Sequence, residues 1–147
     1  MGFGGAPESE EDHAANAIDA AIAIKQAFEA QCAERRQAGL VGLQLRIGIH
    51  SGRAIVGNIG GDDRTNYTVI GHTVNVANRI EQIGKDFLES RDAVVTVSQE
   101  CFSAAGEPGN FAAAGAHMVR GSSKPVSLFI HETARGDNVI DIRTTAT

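Results

Sequence analysis

Tryptophan is absent from the 147 residues, tyrosine occurs once and proline three times, a profile that is neither low-complexity nor fibrous. Only two cysteines occur, Cys32 and Cys101. They have neither the CxxC nor the Cys/His spacing of a zinc site and read as reduced, structural thiols. No apolar run approaches the roughly 20 residues that cross a bilayer. The start, MGFGGAPESEEDH, lacks the basic then apolar regions of a secretory signal, so the expectation is a cytoplasmic chain without membrane contact. An excess of positive charge is missing as well: the formal net charge is −5. That excludes bulk electrostatic attachment to nucleic acid or an anionic membrane and leaves room for a small phosphorylated ligand.

What is present fits one domain large enough to bury a real core. After a Gly-rich, acidic start, Ser9 or Asp12 is placed to cap a helix from His13 to about Gln37. Its stripe reads Ala17, Ala21, Ile24 and Phe28 with Ile18 beside them, and Gly39 supplies the stop. The period then changes to two: Leu43, Leu45, Ile47 and Ile49 alternate with polar residues or glycine, as in a strand with one buried face. RAIVGNI follows closely enough to predict a hairpin with that strand, Gly57 marking a bulge or a close backbone approach. Tyr67 to Ile70 form a short strand ending at Gly71. A helix follows from about His72 to Lys85, with Val76, Ala77, Ile80 and Ile83 on one face. AVVTV at 93–97 reads as a buried strand, Ser98 as an N-cap and Ser98–Ala104 as a short helix. Residues 105–114 read as loop, and His117–Arg120 with Val126–Ile130 as a terminal hairpin across GSSKP. Residues 1–132 are thus the domain. Residues 133–147 are a tail of weak periodicity, compatible with disorder, in which Arg135-Gly136-Asp137 reads as chance. The fold class is α+β, a ferredoxin-like sandwich with helices on one face of a mostly antiparallel sheet.

Chemistry concentrates on the second helix. Asn75 and Arg79 are four residues apart, so their side chains lie on one stripe roughly 6 Å apart, a stripe that continues to Gln82. Arginine is permanently charged and suits phosphate oxygens, while asparagine offers a donor and an acceptor to a sugar. On spacing alone a solvated helix flank is the better explanation of the pair. The whole string weighs more: Tyr67-Thr68-Val69-Ile70-Gly71, then Thr73-Val74-Asn75-Val76-Ala77, then Arg79-Ile80-Glu81. It resembles the class III adenylyl and guanylyl cyclase signature. Ile47–Gly52, Gly57–Gly60, Phe3–Pro7 and Val119-Arg120-Gly121 with Pro125-Val126 resemble flanking parts of the same domain, so the resemblance covers most of the chain. His72 and Asn78 depart from the residues common in that family at positions away from the proposed chemistry.

The resemblance implies that Asn75 orients the ribose and that Arg79 stabilises charge on the α-phosphate as the 3′-oxygen attacks. It puts Thr68 where the family reads the purine, with the Val69 backbone beside it. It puts Arg120, and as a second candidate Lys124, near the triphosphate. A Thr-bearing subgroup of the family uses ATP, the substrate expected here, with GTP as the alternative. The family also uses Mg²⁺ or Mn²⁺ held by two aspartates in upstream strands. Asp12, Asp19, Asp62 and Asp63 stand in the wrong context for that duty, so no metal ligand is assigned. The expectation is a cyclase domain lacking its first strands. It would supply half of a site completed by a second cyclase domain, in a homodimer of complete domains, and would be inactive alone. A non-catalytic dimerisation or regulatory module, or a guanylate cyclase, are the alternatives. Gly60-Gly61-Asp62-Asp63 lacks the Glu-Phe of a GGDEF signature and reads as a hairpin tip.

Overall fold

The computed structural model describes residues 1–59, 66–120 and 122–132. The Gly60–Asp63 tip, Gly121 and the Arg135–Asp137 tripeptide lie outside the described residues. Helix α1 spans His13–Gln37. Asp12 takes its N-cap position without a side-chain capping bond. At the other end Gly39 adopts φ 70°, and the N–H groups of Gly39 and Leu40 return to the carbonyls of Arg36 and Arg35. This is a Schellman closure, which needs a left-handed residue and so selects glycine.

The buried stripe of α1 is Ala14, Ile18, Ala21, Lys25 and Cys32, rotated from the expected one. Ile24 is 54% exposed, whereas Lys25 is 3% exposed and donates to Glu29 at 2.7 Å. A lysine buried along its stem and paired at its head can occupy a core stripe that hydropathy would assign to isoleucine.

Strands β1 (Leu45–Ile49), β2 (Ile55–Ile59) and β3 (Asn66–Ile70) lead to α2 (His72–Ile83), continued by a 3₁₀ turn over Gly84–Phe87. Then come β4 (Ala93–Ser98), α3 (Gln99–Ala104), β5 (Phe111–His117) and β6 (Val126–His131). The main sheet has order β1-β4-β6-β5, with β1 and β4 parallel and the other pairs antiparallel. The expected hairpin between β1 and β2 does not form. Instead β2 pairs with β3 in a separate two-stranded ribbon, because alternation marks a strand without naming its partner. Gly57 makes neither a bulge nor a close approach. It pairs in regular register with Thr68, and a Cβ there would meet nothing within 4 Å. Residues 111–114, expected as loop, belong to β5. Their run of small residues hides a strand that pairs with β6 through a bulge between Ala113 and Gly115.

All six residues of β4 are buried, as a strand covered on both faces demands. Val95 and Val97 pack with Ile47, Ile49, Ala14, Ile18, Ala21 and Cys101 under α1 and α3. On the opposite face Thr96 and Val94 meet the turn at Gly84, while Val76 and Ile80 of α2 pack on Val126 and Leu128. Helices therefore flank both faces of the main sheet, not one. Ser98 caps α3 as expected, accepting from the N–H of Cys101. Cys32 and Cys101 are buried free thiols.

Candidate active site

The site begins at a corner. Strand β3 ends at Ile70, and Gly71 turns the chain into α2 with φ 142°. That left-handed backbone strains any other residue. The corner is closely backed, since a Cβ on Gly71 would lie 3.6 Å from Ala54 Cα. The side chain of Thr73 donates to the carbonyl of Arg53, tying the first turn of α2 to the segment before β2. A strand residue and a helix residue are thereby presented side by side, and an open depression forms between Val69, Ile70, Gly71, His72, Val74 and Asn75.

The expected residues fall as follows. Thr68 is half-buried and Val69 buried on β3. The residue across from Thr68 is Gly57, where a Cβ would meet nothing within 4 Å. Asn75 is exposed on the first turns of α2, and Arg79 is half-buried one turn later. The Arg79 guanidinium donates through Nη1 to Gln82 Oε1 at 2.8 Å, so Asn75, Arg79 and Gln82 do share one stripe. Arg120 and Lys124 are exposed in the connection between β5 and β6, where Ser122 donates its hydroxyl to the Lys124 carbonyl at 2.7 Å. Val119 carries this connection onto the buried stripe of α2, packing with Val76 and Ile80. The depression thus takes in Val69 and Asn75, while Thr68 precedes Val69 on β3 and Arg79 lies one turn beyond Asn75 on α2, both outside its lining. Arg120 and Lys124 form no hydrogen bond or ion pair with those four among the described residues.

Beneath the corner lies a titratable group that the sequence reading passed over. His50, at the end of β1, meets Ser98 Oγ through Nδ1 at 2.8 Å and stands 3.8 Å from Glu100. Burial pushes its pKa below the usual 6.5, and His72 lowers it further, against the opposing pull of Glu100. A neutral ring fits this setting: Ser98 accepts from Cys101 and is left to donate its own proton to Nδ1.

Two further features were missed. A Cβ on Gly48 of β1 would sit 2.7 Å from the Ala77 carbonyl oxygen and equally close to Glu81 Cα, so the backbone of α2 rests directly on that strand. Arg46, two residues earlier, donates from Nε to Glu81 Oε1 at 2.8 Å. The available signal was a glycine inside an otherwise good strand, which marks a close backbone approach. No group of three or more His, Cys, Asp or Glu able to hold a metal ion exists among the described residues.

Comparison with known proteins identifies the family. Residues 1–132 match the family described as the adenylate and guanylate cyclase catalytic domain. Adenylate cyclase 1 of Rhizobium meliloti (strain 1021) is 40% identical over 96 residues, which is 65% of this chain but 14% of that relative. The crystal structure of the adenylyl cyclase CyaB from P. aeruginosa is similar at TM-score 0.72 and 28% identity, over 90% of this chain and 66% of that one. A guanylyl cyclase crystal structure is similar at TM-score 0.70 and 28% identity, over 93% of this chain and 66% of that one. The α+β architecture and the match over residues 1–132 lead to one conclusion: this chain belongs to the adenylate and guanylate cyclase catalytic-domain family.

Proposed function

We propose that this chain supplies the ribose- and phosphate-binding half of an adenylate cyclase site, converting ATP to cyclic AMP and pyrophosphate together with a second cyclase domain. The observation that carries the reading is the pair Asn75 and Arg79, one turn apart on α2 directly after the corner at Gly71. In the reaction the ribose 3′-oxygen loses its proton and forms a bond to the α-phosphorus. The bond from that phosphorus to the bridging oxygen breaks, and pyrophosphate leaves with the electron pair. Negative charge gathers on the α-phosphate oxygens during exchange, and a fixed guanidinium at Arg79 lowers the barrier by facing them. Asn75 holds the ribose hydroxyl and ring oxygens in a reactive orientation.

Thr68 reads the purine edge from β3, with Gly57 paired across from it and the Val69 backbone next to it. Its hydroxyl both donates and accepts, so ATP rather than GTP rests on the likeness to ATP-using relatives and is decided by competition between the two nucleotides. Arg120 and Lys124 face the leaving pyrophosphate. Mg²⁺ or Mn²⁺ would supply Lewis-acid chemistry when bound. The family resemblance assigns the two carboxylates that would hold it to the partner domain.

The partner reading is supported by the ribbon of β2 and β3. Ile55 and Ile70 are directly paired on one face and are 68% and 47% exposed, an apolar strip suited to a second cyclase domain, in a homodimer for the intact protein. No described helix is long and apolar enough to cross a membrane, and the compartment assigned to this activity is the cytoplasm, where ATP is supplied.

The test is complementation. The chain is mixed with a family domain that keeps its metal carboxylates but has lost its own Asn/Arg pair. Cyclic AMP should form with ATP and a divalent ion, and Arg79→Ala in this chain should abolish it. The chain alone should make none; robust cyclic AMP from it alone would defeat the half-site reading.

A further inference from the structure

We propose that Arg46 is a positioning residue for the catalytic stripe of α2, acting through Glu81; the consequence for catalysis rests on the function proposed above. The helix is seated at three points along its length. Near its start Thr73 is bonded to the Arg53 carbonyl. In its middle the backbone at Ala77 and Glu81 lies against Gly48 with no side chain between. Near its end Glu81 takes the hydrogen bond from Arg46 Nε at 2.8 Å. Asn75 and Arg79 stand between the first and last of these points.

The three contacts do different work. The buried pair Val76 and Ile80 holds α2 onto the sheet, but apolar burial is non-directional. Gly48 sets how deep the helix sits, yet a glycine offers no knob to stop the helix sliding along β1 or turning about its axis. Direction comes from hydrogen bonds. The Arg46 guanidinium is planar and its strand is fixed in the sheet by pairing with β4, Arg46 opposite Val94. Its bond to Glu81 therefore sets both rotation and slide for the last turns of α2. Glu81 is two residues beyond Arg79, about 200° around the helix. A rotation that slackens the bridge thus swings Arg79 on the other side of the axis.

Exposure indicates which effect wins. Arg46 and Glu81 are 33% and 30% exposed, and a bridge so open to water adds little to stability. Its removal should be felt in aim far more than in melting.

The experiment uses the whole chain in two assays. In the complemented assembly, Arg46→Ala should lower kcat by about tenfold or more, because small misplacements of a reacting group are costly. KM for ATP should change by less than about twofold, the signature of an interaction that matters in the transition state. Arg46→Lys should recover only part of the rate, and the exchange of charges in Arg46→Glu with Glu81→Arg should recover more than either single change. In the chain alone, nitrogen-15 NMR should find the Arg79 Nε–H and Asn75 amide signals displaced in Arg46→Ala and returned toward their original places in the exchanged pair, with Tm nearly constant. Undisplaced signals overturn the proposal. So does an unchanged kcat in an assembly that Arg79→Ala silences, or a loss of rate that only follows the folded fraction. If Arg79→Ala leaves the assembly active, the nucleotide reading fails while the NMR assay still decides whether Arg46 positions the stripe.

Discussion

The two faces of the main sheet are built on different principles. Under α1 and α3 the contacts are side chain to side chain, with Ala14, Ile18 and Ala21 set into Val95, Val97 and Cys101, and Phe102 stacked on Phe129 at a centroid distance of 4.1 Å. Under α2 the approach is set by two glycines, Gly48 of the sheet against the helix backbone and Gly84 of the turn after the helix against Thr96, together with the partly exposed bridge from Arg46 to Glu81. The first face stores stability in area and interdigitation. The second spends side-chain volume on closeness and orientation, and it carries Asn75 and Arg79. Each face also holds one buried polar atom without a partner among the described residues, His131 Nδ1 toward α1 and Thr96 Oγ1 toward the turn after α2.

This contrast can be broken in order of expected size. Ile18→Ala on the α1 face should cost about 3 kcal/mol, the usual loss for a fully buried isoleucine. Denaturant titration would measure it, and kcat per folded molecule in the complemented assembly should hold. Gly48→Ala on the other face should cost less, on the order of 2 kcal/mol for overpacking against backbone, yet should reduce kcat as well, because α2 must lift or slide. If Gly48→Ala lost stability with kcat intact, the division of labour between the faces would be wrong. The smallest effect is that of pH. The pKa values of His50 and His131 are both pushed below 6.5 by burial. His50 faces Glu100 and His72, and His131 faces Lys25 and Glu29. The unfolded chain then binds protons that the folded chain refuses, so stability present above 6.5 is lost as pH falls through it toward the folded values. Urea midpoints on either side of 6.5 should differ in that direction, with His50→Gln and His131→Gln each flattening part of the slope.

Much of this was readable in advance. The bounds of α1, the Ser98 cap, the buried run of β4 and the passage from β3 into α2 each depend on local propensity and period. The Asn75 and Arg79 stripe needed only helix geometry. What escaped depends on partners remote in sequence. Nothing local tells β1 to choose β4 over β2, or Arg46 to find Glu81, 35 residues away. The phase of α1 slipped because Lys25 is buried and paired with the half-buried Glu29, a pairing hydropathy does not register. The start of β5 was masked by alanines, which are poor advertisers of strand.

The burial of β4 between β1 and β6 has a consequence for how the chain folds. Its two neighbours are a parallel strand far earlier and an antiparallel strand far later, joined as Ile47 to Val95 and Val97 to Phe129. One long loop must close for each edge of β4 to pair, and such long-range closure is slow. The β2 and β3 ribbon needs neither, so it can form early while α2 waits for a completed sheet. Pulse-labelled hydrogen exchange would then find the two halves of the corner at Gly71 protected at different times, β3 first and α2 with β4.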